Sequence, residues 1–210
     1  VRQIVEAIKR PAWTWDLLVN DVYTYANIDK NVPAESMAAF INKQLCPDFN
    51  WKDAEWLANE WGGNLSLKGV VRPDDAVKAL DHGFNSLWVS NHGGRQLETA
   101  VPTIDVLPSI RAAVGKDVEI VIDGGVMRGT DIAKALAMGA DAVGVGKAYL
   151  YGLAAGGKPG VRKAIDTLHV ELERAMGLLG TRTVEELKAR GGQKNRGGGG
   201  SGGRSGRNRK

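Results

Sequence analysis

Four short apolar runs alternate with helix-patterned segments after Trp61, and each run ends on a polar or glycine-rich group: Lys68, His92, Asp123 and Gly146-Lys147. Such βα repetition predicts an α/β fold with a parallel sheet and right-handed crossovers. Polar groups gathered at the ends of successive strands are the habit of the (β/α)8 TIM barrel rather than of an open doubly wound sheet. Four βα units are present instead of eight, so the predicted fold is half of such a barrel.

Each element has its own signal. Val1 to Lys9 is patterned as the end of a helix, with Ile4, Val5 and Ile8 on one face and Pro11 as its stop. Trp13, Trp15, Leu17 and Leu18 read as packing material, and residues 20–34 as an irregular, turn-rich connection. Ser36 to Leu45 suits a short helix, and Asn50 is a candidate N-cap for the next, where Trp51, Ala54, Leu57 and Ala58 recur at helical spacing. Strands are predicted at Leu65 to Gly69, Leu87 to Ser90, Ile120 to Ile122 and Ala142 to Gly146. Between them, helices are predicted over Arg72 to Leu80, Leu107 to Ala113 and Asp131 to Met138. Tyr149 to Lys188 supplies closing helices, whose stripe of Leu168, Leu172, Ala175, Leu178 and Leu179 is expected in the core. From Gly191 to Lys210 the chain is basic, glycine-rich and free of apolar residues, the composition of a disordered tail. The expected organisation is therefore a half barrel over 1–190 and a tail over 191–210.

Composition excludes several classes. The sequence is 43% hydrophobic and 25% charged, as in ordinary globular domains. Its net charge of +4 comes from the tail, which holds Lys194, Arg196, Arg204, Arg207, Arg209 and Lys210 and no acid. Without them the body is mildly acidic, so a nucleic-acid role is unlike this chain; the tail also lacks the aromatics that stack on bases. Cys46, the single cysteine, excludes an internal disulfide, fits a reducing compartment and is expected as a small buried hydrophobe. No apolar run reaches the roughly 18 residues of a membrane span, and Val1-Arg2-Gln3 does not open like a signal peptide. The expected location is cytoplasmic, with room for a peripheral position at the inner membrane.

Ser86 to Leu97 carries the chemistry. Leu87, Trp88 and Val89 form a strand covered on both faces, and His92 follows its carboxyl end. An imidazole titrates near neutral pH and can accept a substrate proton, while Arg95 carries a permanent forked cation that matches a carboxylate. Gly93 and Gly94 let the backbone between them turn.

The string Ser90-Asn91-His92-Gly93-Gly94-Arg95-Gln96 resembles the active-site signature of the FMN-dependent 2-hydroxy acid oxidases and dehydrogenases. Phe49 to Asp53 and Gly146 to Leu153 look closest to the flavin-type L-lactate dehydrogenases of bacteria. The resemblance implies a (β/α)8 barrel and an FMN cofactor. It implies oxidation of an L-2-hydroxy acid to the 2-oxo acid, with His92 as base, Arg95 as clamp on the substrate carboxylate, and hydride transfer to flavin N5. A carbanion route uses the same base. Oxygen, a quinone or a cytochrome then reoxidises the flavin. Lys68 resembles the lysine beside flavin N1, where its charge stabilises the reduced ring. Ser90, Asp123, Gly124, Gly125, Val126, Met127, Gly146 and Lys147 correspond to the remaining FMN contacts.

The chain also departs from the family pattern. Met127 and Lys147 stand where arginine is usual, which predicts weaker FMN retention. The resemblance covers the carboxyl-terminal half of the pattern, so the tyrosines that contact substrate and the aspartate that orients the base are not among these residues. The resemblance implies a homo-oligomer, and the open edges of a half barrel predict a complementary half barrel as the other candidate partner.

Overall fold

A computed structural model describes residues 7–19 and 37–191. Ile4, Val5, the whole of the 20–34 connection and the tail after Gly191 lie outside them. The chain divides into two compact units, Val1–Phe49 and Asn50–Lys210.

In the first unit, α1 runs Pro11–Val19 and α2 Met37–Gln44. The helix predicted before Pro11 is seen at its end, with Ala7 and Ile8 helical and Lys9 in a turn, and Pro11 then also opens α1, because proline fits a first helical turn, where an N–H would have no partner. Trp13 and Trp15 are 58% and 68% exposed, against the packing role their aromatic character implies. Cys46 is exposed as well, not buried, since it falls in the non-helical segment just after α2.

In the second unit, α3 (Trp51–Trp61) starts as predicted. Asn50 Oδ1 accepts from the Lys52 N–H at 2.9 Å, and Asp53 Oδ2 accepts from the Asn50 N–H at 2.9 Å. There follow β1 (Ser66–Val70), α4 (Pro73–Asp81), β2 (Ser86–Val89), α5 (Thr103–Val114), β3 (Glu119–Ile122), α6 (Gly129–Ala137), β4 (Ala142–Val143), α7 (Lys147–Leu179) and α8 (Val184–Gly191). The α7 helix is interrupted at Gly156 and Gly157, where Gly157 has φ 56°.

All four strands are parallel and lie in the order β1-β2-β3-β4. A spatial order that follows chain order is that of neighbouring barrel staves; a doubly wound sheet reverses at a switch point. Register then sorts the two faces. Leu67, Leu87 and Ile120 align across the sheet, as do Val70, Val89, Ile122 and Val143, and these rows pack into the core with α4 and α5 residues such as Ala76, Ala79, Leu107 and Ile110. The row Lys68, Trp88, Val121 and Ala142 faces the other way and is less covered.

Gly69 makes this possible. With φ 101° it forms a bulge in β1, so Lys68 pairs with Trp88 while Val70 pairs with Val89. Without the bulge Lys68 and Val70 would share a face; with it the ammonium stays out and the valine goes in.

Two features close the α6 end. Ala133, Leu136 and Leu187 form a second cluster with Leu172, Ala175, Met176 and Val184. Leu168 is buried as expected, but Leu178 is 84% exposed and Leu179 is exposed too. The cover supplied by α6 and α8 reaches Met176 and stops short of the last turn of α7. At the opposite end of the strands, Arg111 donates from Nε to Gly139 O at 2.8 Å and from Nη1 to Gly115 O and Val118 O, both at 2.7 Å. Its Nη2 reaches Asp141 Oδ2 at 2.5 Å, and Lys188 Nζ reaches Asp141 Oδ1 at 2.6 Å.

Burial alone would raise the Asp141 carboxyl, but the Lys188 and Ile120 hydrogen bonds and the Arg111 charge outweigh it and hold it below its ordinary value. A carboxyl lowered by folding contributes stability at every pH above its unfolded value, about 3.9, and that contribution is lost as pH falls through the folded value. The urea midpoint should therefore drop on acidification below about pH 4, and Asp141→Asn should flatten that drop while lowering the midpoint at pH 7. An unchanged acid limb in the variant would remove Asp141 from the account.

Candidate active site

The carboxyl ends of the four strands carry nearly every residue the sequence singles out. Lys68, on the open face of β1, ion-pairs with Asp123 Oδ2 just after β3. Its Nζ also lies 3.4 Å from Ser90 Oγ and 4.1 Å from the centroid of the Trp88 ring. Ser90, 3% exposed, donates from Oγ to Asp123 Oδ1 at 2.6 Å and accepts from the His92 N–H at 3.2 Å. One buried hydroxyl thus joins the ends of β1, β2 and β3 and the first residue of the histidine turn.

That turn is held from several sides. Asn91 Oδ1 accepts from the Gly93 N–H at 2.9 Å, and Asn91 Nδ2 donates to Val101 O at 3.1 Å. The Arg95 N–H donates to His92 O at 3.3 Å. His92 has φ 54°, the left-handed region, and is the non-glycine residue found there among the described residues. Histidine enters this region more readily than most residues, yet the conformation costs about 1–3 kcal/mol. His92 and Arg95 both present exposed side chains. Chemically, the turn offers a titratable ring and a fixed cation to a ligand arriving at the strand ends.

The glycine loops divide by role. Gly124 has φ 105°, and a Cβ there would meet Thr103 Oγ1 at 3.0 Å and Asn91 Oδ1 at 3.2 Å. Thr103 is the reason for the approach: it donates from Oγ1 to Asp123 O at 2.6 Å. Gly125 and Gly146 face open space, and Gly146 leads directly into α7 at Lys147. Val126 is buried, so its side chain is core. The Met127 and Arg128 N–H groups both donate to Asp131 Oδ2, at 3.1 and 3.0 Å, and the Gly129 N–H donates to Glu171 Oε2 at 2.8 Å. The amino end of α6 is thus already occupied by two carboxylates.

Sequence reasoning missed Trp88, Asn91 and Thr103 as parts of this end of the sheet. Trp88 reads as a strand apolar residue, and only the register places its ring beneath Lys68. Gly144 lies close to it: a Cβ would meet Trp88 Cζ2 at 3.0 Å and Asp123 Cβ at 3.2 Å. Gly144→Ala should shift the indole 1H–15N signal of Trp88 more than that of any other tryptophan and cost about 1 kcal/mol. An unmoved Trp88 signal would contradict this packing.

The family model described as FMN-dependent dehydrogenase matches residues 1–193. The chain belongs to this family. The cofactor of the family is FMN, and its members are oxidoreductases. An L-lactate dehydrogenase of Caulobacter sp. (strain K31) is 38% identical over 192 residues, covering 89% of this chain and 50% of that protein. Pre-mycofactocin synthase of Mycobacterium tuberculosis is 41% identical over 191 residues, covering 87% of this chain and 47% of that protein. Among solved structures, the monotopic membrane protein (S)-mandelate dehydrogenase superposes with a TM-score of 0.83 at 34% identity, over 89% of this chain and 50% of that one. A lactate oxidase of Pediococcus acidilactici gives 0.67 at 40% identity, over 75% of this chain and 45% of that one. The chain spans about half the length of the curated relatives it matches. Its four-stranded sheet is the matching half of their barrel fold.

Proposed function

We propose that this chain carries the FMN-binding and proton-abstracting half of an L-2-hydroxy acid dehydrogenase or oxidase acting on a lactate-like substrate. The observation that carries the reading is the joining of Lys68, Ser90, Asp123 and the His92 turn at the ends of three successive parallel strands. The residues present fit FMN. Lys68 offers a cation at the open face, Gly125 and Gly146 leave space that a Cβ would fill, and the buried Trp88 Nε1 has no hydrogen-bond partner. With the α6 end taken by Asp131 and Glu171, Gly146 and Lys147 at the start of α7 are the backbone and cation left for the phosphate. Bound FMN supplies the acceptor for the two electrons and the C2 hydrogen of the substrate.

The rest is done by the chain. Arg95 pairs with the substrate carboxylate through its fork, fixing C2 relative to the strand ends. His92 takes the hydroxyl proton on a ring nitrogen as the alcohol becomes a carbonyl. The strained turn keeps the ring presented without a rearrangement during the step. At a membrane surface the exposed Trp13 and Trp15 and the likeness to a monotopic membrane protein support a peripheral cytoplasmic position. Among the described residues no helix is long and apolar enough to cross a bilayer.

A second reading has its own observation. The row Lys68, Trp88, Val121 and Ala142 lies on the less covered face, and β1 and β4 each have one edge unpaired among the described strands. That geometry favours completion by a further four-stranded half barrel, without which FMN is not retained.

The test is a visible absorption spectrum after incubation with FMN and removal of free flavin, followed by anaerobic L-lactate and, separately, (S)-mandelate. Retained colour that bleaches supports the first reading. A colourless protein that gains flavin only with the amino-terminal half of a relative supports the second. No flavin in either case would sink both.

A further inference from the structure

The ammonium of Lys68 is held by more than its salt bridge. Trp88 lies below it, Ser90 beside it and Asp123 opposite, and these three residues come from two different strand ends. We propose that Trp88 and Asp123 are positioning residues for Lys68, which fix the ammonium at the open face of the sheet before FMN arrives. This inference rests on the FMN reading of the site for its purpose, but not for its geometry.

Three observations carry it. First, the Lys68 side chain is about half exposed, at 49%. A lysine so placed samples many rotamers unless something holds it, and its entropy cost is among the largest of any side chain. Second, the Trp88 ring face offers a cation–π contact at 4.1 Å, which restricts the ammonium to one side of the sheet. Third, the Asp123 carboxylate is itself immobilised, because Ser90 Oγ donates to Oδ1 and leaves Oδ2 for the lysine. Gly144 then permits the indole to lie where it does, since any Cβ there would press on both Trp88 and Asp123. A point charge fixed in advance costs no reorganisation when a developing negative charge meets it.

The inference separates Trp88 from a mere core residue. A core role needs only apolar volume, which leucine supplies; the positioning role needs an aromatic face, which phenylalanine keeps and leucine does not. The experiment is carried out on the full chain with three variants, Trp88→Leu, Trp88→Phe and Asp123→Asn. In the FMN-free chain, the Lys68 Cε–Hε signals should lie upfield through the ring current of Trp88. Trp88→Leu should move them to the ordinary lysine position, Trp88→Phe should keep most of the shift, and Asp123→Asn should reduce it. With FMN present, Trp88→Leu should weaken retention about three- to fivefold and move the FMN reduction potential to more negative values, with Trp88→Phe close to wild type.

The outcomes are distinct. Lysine signals at the ordinary position in the wild-type chain would overturn the inference whatever FMN does. Upfield signals without FMN retention, either by the chain alone or with the amino-terminal half of a relative, would keep the positioning and overturn the FMN reading instead. Equal potentials for the wild type and Trp88→Leu, with FMN retained by both, would reduce Trp88 to packing.

Discussion

Replacing His92 by asparagine is expected to slow substrate-driven flavin reduction by about a hundred- to ten-thousandfold, the range for removal of a general base. Asparagine is chosen because it tolerates the left-handed backbone that His92 adopts, with φ 54°. The turn should survive, with Asn91 still capping Gly93 and Ser90 still accepting from the N–H of residue 92. What is lost is the titratable ring. Anaerobic stopped-flow with L-lactate, on the FMN-loaded chain or its complex with a complementary half, reads the rate, and circular dichroism reads the fold. A wild-type rate in His92→Asn would exclude His92 as the base. A loss of FMN along with the rate would make the residue structural.

Leu87→Ala should be the most damaging core change, at about 2–5 kcal/mol. Leu87 is fully buried in β2, and it is aligned with Leu67 on one side and Ile120 on the other. Its cavity would open in the middle of the sheet, where neither neighbour can collapse without shifting its own register. The same strand leads into Ser90 and His92, so FMN retention should fall with stability. Urea melts monitored by circular dichroism measure the first effect. A loss below about 1 kcal/mol would mean that the core row formed by the register is not the one that carries the fold.

Much of this was legible in the sequence because the signals were local. Asn50 three residues before Asp53 spelled out a helix start, and each apolar run closed on a turn-forming group. The likeness of Ser90 to Gln96 to the family signature named the histidine turn in one reading. What stayed hidden required distant parts of the chain to meet. Nothing local shows that Ser90 and Asp123, 33 positions apart, share a hydrogen bond, or that Asp131 and Glu171 fill the amino end of α6. The same holds for the errors. The stripe through Leu178 and Leu179 has helical periodicity, but periodicity does not say how far the covering surface extends. Pro11 carries equal local weight as a stop and as a start, and it serves as both, since a helix ends at Ile8 and α1 begins on Pro11.

The chain-order sheet has a consequence for synthesis. Each strand pairs with its predecessor: Ser66 with Ser86, Leu87 with Ile120, Val121 with Ala142. No pairing waits for a residue far downstream, so every βα unit finds its template already present as it leaves the ribosome. Docking can then keep pace with elongation at about 5–20 residues per second. A ribosome-bound intermediate arrested once Val114 has cleared the exit tunnel should already protect the β1 and β2 amides from exchange, with β3 still enclosed.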